Sequence, residues 1–346
     1  MNIHNQTAKE LNIKLYGKSI RLLTSDKSFY KFVAINYKPF ITRIDKPDIE
    51  VCFDTNISNI CKPSSDYQKI GSGLYFNKNK LIVFQRGLTL QISYQKDTLK
   101  LKAKPNFYIH KVIHTLRGKR KNHKLEQYQF IMRQLVHFPL FLLLRKNQKF
   151  ILHSAAVTNN KNTFIFCGLN GVGKTTLALN FLSDGYKLLS DNFLVFDRCG
   201  IYPFPEVLRV PVEEGNLTSK AIYKQKIHNK LHVIPSTKNI MVSEQPIKPT
   251  CLFLVSTGNN NLATKLSKEL FIEKIIKLND YLKEFDNYSY ISVFEAFASN
   301  FDAKSVMSYS ETLLNLIKSS KTKTYLLSLD IKSSFLNKKE VIKQCN

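Results

Sequence analysis

The chain has 346 residues, 43% of them hydrophobic, and 52 Lys and Arg against 26 Asp and Glu give it a formal net charge of +26. This length predicts about two or three domains, with enough hydrophobic residues to build their cores. None of the six cysteines forms a Cys-x-x-Cys pair, which argues against a zinc site. The longest apolar run near a helix, residues 138–144, is far shorter than the ~18–20 residues of a membrane span. No secretory leader is evident, so we expect a cytoplasmic protein.

Residues 1–115 predict a β-rich N-terminal accessory domain. Strand patterns lie at 49–53, 80–84, 88–94 and 98–101, and the last two flank a hairpin-like connection. No catalytic group of residues is evident in this region. A basic linker and helix are expected over residues 116–149, with the helix at 125–144 kinked or restarted at Pro139.

The sharpest positive cluster is Arg117–Lys124, with the sequence RGKRKNHK. Such a cluster could contact the phosphates of a nucleic acid, although it lacks the aromatic residues that stack on bases. We interpret it as a solvated loop or helix start and keep nucleic-acid binding as an alternative.

A strand over 150–157, a tight turn and a strand over 163–167 predict a hairpin that leads into a glycine-rich loop. Residues 168–175 fit the phosphate-loop pattern Gly-x-x-x-x-Gly-Lys-Ser/Thr, and good helix formers follow. The alternative is a glycine-rich turn that only joins a strand to a helix. The predicted nucleotide-binding residues are Gly168, Leu169, Asn170, Gly171, Val172, Gly173, Lys174, Thr175 and Thr176.

The spacing of this motif explains its expected chemistry. The glycines allow successive backbone N–H groups to point at one anion, at a helix N-terminus whose dipole also favours negative charge. Lys174 adds a positive charge for the terminal phosphates, and the Thr175 hydroxyl is placed to hold Mg²⁺. The motif predicts binding of a nucleoside triphosphate but does not distinguish ATP from GTP.

The helix after the glycine-rich loop is expected to end at 183–186, and the element that follows it carries an acidic residue. Residues 187–192 predict an apolar strand that ends at Asp191, a Walker B pattern in which the carboxylate ligates Mg²⁺ or orients the nucleophile. The alternative is an aspartate in an ordinary turn. Residues 193–197 predict another strand. His153 lies on the strand beside the loop and is either a structural or a functional histidine.

The remaining elements complete a mixed domain over residues 150–331. An extended, proline-containing segment at 201–212 carries Arg209, and 213–249 is expected to be an irregular lid or substrate loop. A strand at 250–256, helices at 267–284 and 308–319, and a strand at 322–330 follow, before a polar tail at 332–346.

Three segments together carry a family resemblance: His153–Val157 (HSAAV), the motif GLNGVGKT, and Gly185–Asn192 (GYKLLSDN). They resemble the C-terminal domain of HPr kinase/phosphorylase and are most similar to the shorter, divergent HPr-kinase-like proteins. The resemblance covers roughly residues 150 to 330. It implies a site formed by His153, Lys174, Thr175 and Asp191, with Asn192 at a second position that is acidic in the family. It also implies Thr175, Asp191 and Asn192 as the metal-binding set.

The resemblance implies a mixed α/β (α+β) phosphate-loop domain of the type shared with phosphoenolpyruvate carboxykinases. The implied activity is transfer of the ATP γ-phosphoryl group, with Mg²⁺, to a hydroxyl of a protein or peptide, and the implied assembly is a homo-oligomer. Asn192 cannot take up a proton as a carboxylate does. No counterpart of the phosphorylase signature is found, so the reverse reaction is not expected. Arg209 is a candidate charge stabiliser.

Two alternatives remain at this point. Asn192 motivates a nucleotide-binding regulatory module with weak or no transfer activity. The net charge and the 117–124 cluster motivate a nucleic-acid-associated NTPase.

Overall fold

The fold is that of a computed structural model, and the description covers the following residues: 8–54, 63–85, 88–105, 123–204, 208–211, 223–227, 230–234, 240–241, 243–282, 290, 293–294, 309–319, 321–330 and 335–345. The chain divides into two compact units. The first comprises residues 1–147 and 286–305, and the second comprises 148–285 and 306–346. Both contain a mixed sheet and helices, so the predicted mixed α/β class is confirmed at this level.

The first unit contains an eight-stranded sheet with the order β1-β2-β3-β8-β7-β6-β5-β4. Strand β3 pairs in parallel with β2 and β8, and the other neighbours are antiparallel. The strands predicted at 49–53, 80–84, 88–94 and 98–101 are confirmed as β3, β6, β7 and β8. The strand bounds are β1 Lys9–Leu15, β2 Lys18–Thr24, β3 Ile49–Phe53, β4 Gln68–Gly71, β5 Leu74–Asn77, β6 Lys80–Gln85, β7 Leu88–Gln95 and β8 Thr98–Pro105.

Helix α1 (Lys27–Asn36) was not predicted, and Asp26 caps its N-terminus by accepting hydrogen bonds from the N–H groups of Ser28 and Phe29. A 3₁₀ turn (Lys38–Phe40) follows it. The predicted long helix is confirmed as α2 (His123–Met132) and α3 (Phe138–Lys146). Between them, Arg133–His137 forms a π-helical turn directly before Pro139, which has no N–H to donate to the preceding turn.

The second unit contains a seven-stranded mixed sheet with the order β12-β11-β9-β10-β16-β18-β17, and a small antiparallel sheet with the order β13-β15-β14. Strands β10, β16 and β18 run parallel, while β9 is antiparallel to both β10 and β11. The bounds are β9 Phe150–Thr158, β10 Thr163–Cys167, β11 Lys187–Asp197, β12 Gly200–Tyr202, β13 Leu208–Pro211, β14 Tyr223–Ile227, β15 Lys230–Ile234, β16 Cys251–Gly258, β17 Leu262–Lys265 and β18 Lys323–Asp330.

Helices cover both faces of the seven-stranded sheet. Helix α4 (Lys174–Ser183) covers one face, where the Phe181 ring lies 5.3 Å from Phe164 and 6.0 Å from Phe166 between centroids. Helices α5 (Lys268–Leu282) and α6 (Tyr309–Ser319) cover the other face, where their apolar residues join a core cluster with Ile165 and Leu252. This layering brings the residues around 168–175 to the end of the sheet where β10 finishes.

Three predictions about the second unit need correction. The expected break after residue 192 is wrong, because β11 is one strand of 11 residues and its hairpin partner is β12. The segment 213–249 is not wholly irregular, since it contains β14 and β15. The polar segment after 331 contains helix α7 (Phe335–Lys343), and Lys339 and Lys343 pair with Asp184 at the end of α4.

Two further findings concern the described ranges alone. No helix in them combines the length and the apolar character needed to cross a lipid bilayer. Five cysteines are described, at positions 52, 167, 199, 251 and 345, and all five are free thiols. The basic residues Arg117–Asn122 lie outside the described residues, so nucleic-acid binding through them stays a prediction.

Candidate functional site

The glycine-rich loop (residues 168–173) joins the end of β10 to the start of α4. At its beginning, the backbone of Gly168 approaches β16 so closely that an added β-carbon would lie 2.6 Å from the carbonyl oxygen of Val255. At its end, Gly173 caps α4 with a φ of 94°, a left-handed conformation that side chains rarely adopt. The loop therefore turns tightly enough to present backbone N–H groups at the helix N-terminus.

Lys174 is folded back onto this loop. Its side chain is buried, and its Nζ donates hydrogen bonds to the carbonyl oxygens of Gly168 (2.8 Å) and Leu169 (2.9 Å). Leu169 itself is 41% exposed, and Asn170 is also exposed. The ammonium group is thus fixed within the turn of the loop, where an anion bound by the backbone N–H groups would also lie.

Thr175, at the second position of α4, is joined to the strand predicted to carry the acid. Its hydroxyl donates a 2.8 Å hydrogen bond to Oδ1 of Asp191, a residue 16 positions later in the chain and only 7% exposed. The structure therefore brings together two of the predicted site residues. The expectation that Asp191 ends its strand is wrong, since it lies in the middle of β11.

A one-residue bulge in β11 places Asp191 on this face of the sheet. Leu188 lies opposite Val157 of β9, but the next pair is Ser190 with Ala156, so that Leu189 is the extra residue. Asp191 then lies opposite Ala155, which packs in the core cluster under α4. Because residues alternate between the faces of a strand, a regular register would turn Asp191 to the opposite face.

Hydrogen bonds to the backbone hold the bulge. The Ser190 hydroxyl lies within hydrogen-bonding distance of the carbonyl oxygens of Phe193 and Phe204, the latter at 3.1 Å, and shares its one hydrogen between them. The carbonyl oxygen of Leu189 accepts from the N–H of Phe204 (3.1 Å), and that of Leu188 accepts from Met241 (2.8 Å). Sequence analysis did not identify Ser190, because a bulge depends on the register between two strands and has no local sequence signal.

Asn192 lies one step further along β11, opposite Ser154. Its φ is 85°, and asparagine tolerates this left-handed conformation better than most residues. Strand alternation assigns it to the face of Ser154 rather than to the face of Asp191. The two neighbouring residues are therefore not equivalent members of one site, although the resemblance assigned both to the metal.

His153 is buried, with 2% of its surface exposed, and lies opposite Phe193. Cys167, the last residue of β10, pairs with Ser154 of β9. Because the two strands are antiparallel, His153 is level with Gly168, the first residue of the glycine-rich loop. His153 also belongs to the same sheet face as Ala155 and Asp191 by alternation. The structure thus places it beside the loop, as the sequence predicted.

The remaining candidates are placed as follows. The backbone of Arg209 lies in β13 opposite His232, and its side chain is outside the described residues, so its role stays a prediction. Burial raises the pKa of the Cys167 thiol to about 12, although the positive charge of Lys174 acts to lower it. The thiol at the end of β10 is therefore neutral at pH 7. The backbone oxygen of Thr176 accepts a hydrogen bond from the Asn180 side chain (2.8 Å).

The donor set fits Mg²⁺. The Thr175 hydroxyl and the Asp191 carboxylate are hard oxygen ligands, and Mg²⁺ in nucleotide sites takes few protein ligands beside phosphates and water. Among the residues described, no group of three or more His, Cys, Asp or Glu side chains surrounds a common metal position.

Comparisons with protein-family models and with curated proteins find no match to this chain.

Proposed function

We propose that this protein is an ATP-dependent phosphotransferase of the HPr-kinase-like kind, with a phosphate-loop domain of the type shared with phosphoenolpyruvate carboxykinases. It transfers the γ-phosphoryl group to a hydroxyl of a protein or peptide. The observation that carries this proposal is the hydrogen bond between Thr175 and Asp191 at the N-terminus of α4. It joins a phosphate-loop hydroxyl to a buried carboxylate, which is the pairing that a magnesium–nucleotide site requires.

The chain's own residues have distinct roles in this proposal. The N–H groups of the glycine-rich loop bind phosphate oxygens, and Lys174 exchanges its two carbonyl acceptors for the β- and γ-phosphates. Thr175 and Asp191 hold the metal, and bound Mg²⁺ supplies charge neutralisation for the phosphate oxygens.

The reaction breaks the bond between the γ-phosphorus and the bridging oxygen and forms a bond to the acceptor oxygen. ADP leaves with the electron pair, and the proton of the acceptor hydroxyl passes through the Asp191 carboxylate to solvent. Asp191 is the one predicted acid at this position, so it both binds the metal and orients the acceptor hydroxyl. His153, on the same face, adds a second polar group near the start of the loop.

Calorimetric titration with Mg-ATP and Mg-GTP tests the nucleotide site. We expect saturable binding by the wild type, loss of at least about tenfold in affinity in Lys174→Ala and Thr175→Ala, and near-normal binding in Thr175→Ser, which keeps the hydroxyl. Lys187→Ala is the matched control, because Lys187 is an exposed lysine at the first position of β11, four residues before Asp191. Absence of nucleotide binding by the folded wild type would overturn the proposal.

Transfer is then tested by mass spectrometry of Ser- and Thr-containing proteins and peptides incubated with the enzyme and ATP. A gain of one phosphate, dependent on Lys174 and Asp191, supports a kinase. Nucleotide binding without transfer to any acceptor supports a second candidate, a nucleotide-binding regulatory module.

This second candidate is favoured by Asn192, which replaces an acid and lies opposite Ser154 rather than on the face of Asp191. The Asn192→Asp variant distinguishes the two functions. A large gain of transfer in this variant would indicate a kinase that has lost an essential acid. A measurable rate that is the same in the wild type and the variant would show that Asp191 suffices, and no transfer by either would support the regulatory module.

A further inference from the structure

A cavity of about 670 Å³ lies in the second unit, at the end of the seven-stranded sheet opposite to the glycine-rich loop. It forms where β10, β16 and β18 begin, whereas the loop follows the end of β10. Five residues of β10, at about 3.3 Å each, separate the two places by about 15 Å. The lining residues are Thr158, Asn160, Lys161, Thr163, Met241, Ile247, Lys248, Pro249, Thr250, Cys251, Lys321 and Lys323.

The lining of this cavity is strongly cationic. It contains four lysines from three separate segments of the chain, Lys161, Lys248 and the pair Lys321 and Lys323, and no acidic residue. The whole chain has two basic residues for each acidic one, so the excess of basic over acidic residues in the lining is larger than the composition of the chain alone predicts. Because the potentials of the four charges add inside a concave wall, the cavity attracts anions.

Three of these ammonium groups are available to a ligand. Lys161, Lys248 and Lys321 are exposed, and the part of the chain that the structure describes offers their side chains no hydrogen bond or ion pair. Lys323 donates from Nζ to the carbonyl oxygen of Cys345 at 3.2 Å. These three lysines do not have to break an existing ion pair in order to bind an anion. They therefore gain more binding energy from an anion than lysines already held in surface ion pairs would.

The base of the cavity is held in place by hydroxyl groups. The Thr158 and Thr163 hydroxyls are 2.8 Å apart, and Thr250 donates from Oγ1 to the carbonyl oxygen of Thr163 at 2.9 Å. Both Thr158 and Thr163 are buried. These contacts fix the turn between β9 and β10 and the start of β16, so the ligand-binding wall is formed before a ligand arrives.

One wall is apolar and consists of Met241, Ile247 and Pro249. The volume lies within the range of pockets for small organic molecules. We propose that the cavity is a binding site for a small organic anion that carries two or more phosphate or carboxylate groups. This site is separate from the glycine-rich loop and does not depend on the phosphotransferase reaction.

Isothermal titration of the full chain with citrate and with inorganic pyrophosphate tests the proposal. We expect saturable binding that weakens as salt is raised, because exposed charges are screened. The double variant Lys248→Gln/Lys321→Gln should bind at least about tenfold more weakly. The control Lys274→Gln/Lys277→Gln removes two exposed charges on α5, outside the cavity, and should change the affinity by less than about twofold.

The Lys174→Ala variant separates this site from the glycine-rich loop. Citrate binding retained in Lys174→Ala, in which nucleotide binding is lost, supports two independent sites. Three outcomes would overturn the proposal: no saturable binding of either probe up to about 10 mM, an equal loss in the control double variant, or a loss in Lys174→Ala alone. Thermal unfolding of every variant, read by circular dichroism, establishes that each is folded.

Discussion

The α-carbon of Gly168 lies against the carbonyl oxygen of Val255, so close that a β-carbon on it would be 2.6 Å from that oxygen. Both groups are backbone. Gly168 directly follows β10 and Val255 lies within its parallel partner β16, so neither moves without cost. Gly171 has open space around its α-carbon but a φ of 87°. The loop thus requires glycine at residue 168 for the close contact together with a φ of 157°, and at residue 171 for the backbone angle alone.

Alanine at the two positions should show how much the contact with Val255 adds to the cost of a positive φ. We expect Gly168→Ala to lower the free energy of unfolding by more than about 2 kcal/mol, because a fixed backbone oxygen opposes the methyl group. Gly171→Ala should cost about 1 kcal/mol, from the left-handed angle alone. Urea unfolding followed by circular dichroism measures both. Equal midpoints for the two variants would show that the approach to Val255 is not constrained.

Ser190 should position Asp191 through the β11 bulge. Ser190→Ala removes the single donor that two carbonyl groups share, and we expect a loss of about 1–2 kcal/mol in the free energy of unfolding together with weaker Mg-ATP binding. Ser183→Ala is the matched control, because that exposed hydroxyl also donates to a carbonyl, that of Asn180. It should change either quantity little. Normal nucleotide affinity in Ser190→Ala would mean that the bulge persists without this hydroxyl.

The backbone angle of Asn192 predicts a specific order of stability. Asn192→Gly should leave the free energy of unfolding within about 0.5 kcal/mol of the wild type, since glycine adopts positive φ freely. Asn192→Val should lower it by about 2 kcal/mol, because a β-branched residue is strained there. Thermal or urea unfolding gives both values. A valine variant as stable as the glycine variant would contradict the left-handed conformation.

Asp197 should contribute stability that depends on pH. It accepts hydrogen bonds from Tyr202 (2.6 Å) and Lys149 (2.5 Å), and the Lys149 ammonium also lies 4.2 Å from the centre of the Tyr202 ring. Burial alone would raise the pKa of Asp197, but Lys149 and Tyr202 lower it below its ordinary value of 3.8. A carboxyl group with a lowered folded-state pKa stabilises the fold above its unfolded pKa and loses that contribution as pH falls through the folded value.

Urea unfolding of the wild type and Asp197→Asn over a pH series measures this contribution. We expect a constant difference in unfolding free energy above about pH 5, and a difference that shrinks below about pH 4. At pH 7, Lys149→Met should destabilise by about 2–4 kcal/mol, because it leaves a buried carboxylate without its cation. Glu273→Gln, which removes an exposed pair with Lys277, should change the stability little at any of these pH values. A difference that is independent of pH would contradict the lowered pKa.

Local patterns predicted four of the eight strands of the first sheet and five of the seven strands of the second. The hairpin of β9 and β10 and the buried strand β16 follow from apolar runs bounded by turn residues, and the loop between β10 and α4 follows from its glycine spacing. The position of Asp191 did not follow. Its sequence neighbours suggest a strand end, whereas the strand continues through it to Asp197 because both halves pair with the long strand β9.

The face on which Asp191 lies depends on one extra residue in β11, and a shift of one residue in register would exchange it with Asn192. No single-strand pattern contains that information, since register is a relation between two strands. The cationic cavity was missed for a similar reason. Its lysines are 87 residues apart at Lys161 and Lys248, and only the order of strands in the sheet brings them together.

Strand β18 lies between β16 and β17 in the seven-stranded sheet, although it follows β17 by more than 50 residues in the chain. During synthesis on the ribosome, β17 therefore emerges long before its hydrogen-bonding partner, and β16 presents an open edge. An open edge of this kind is a template for pairing with other chains. The sheet of the second unit therefore cannot be completed until residues 266 to 330 have been translated, and until then the edge of β16 that β18 later covers stays open.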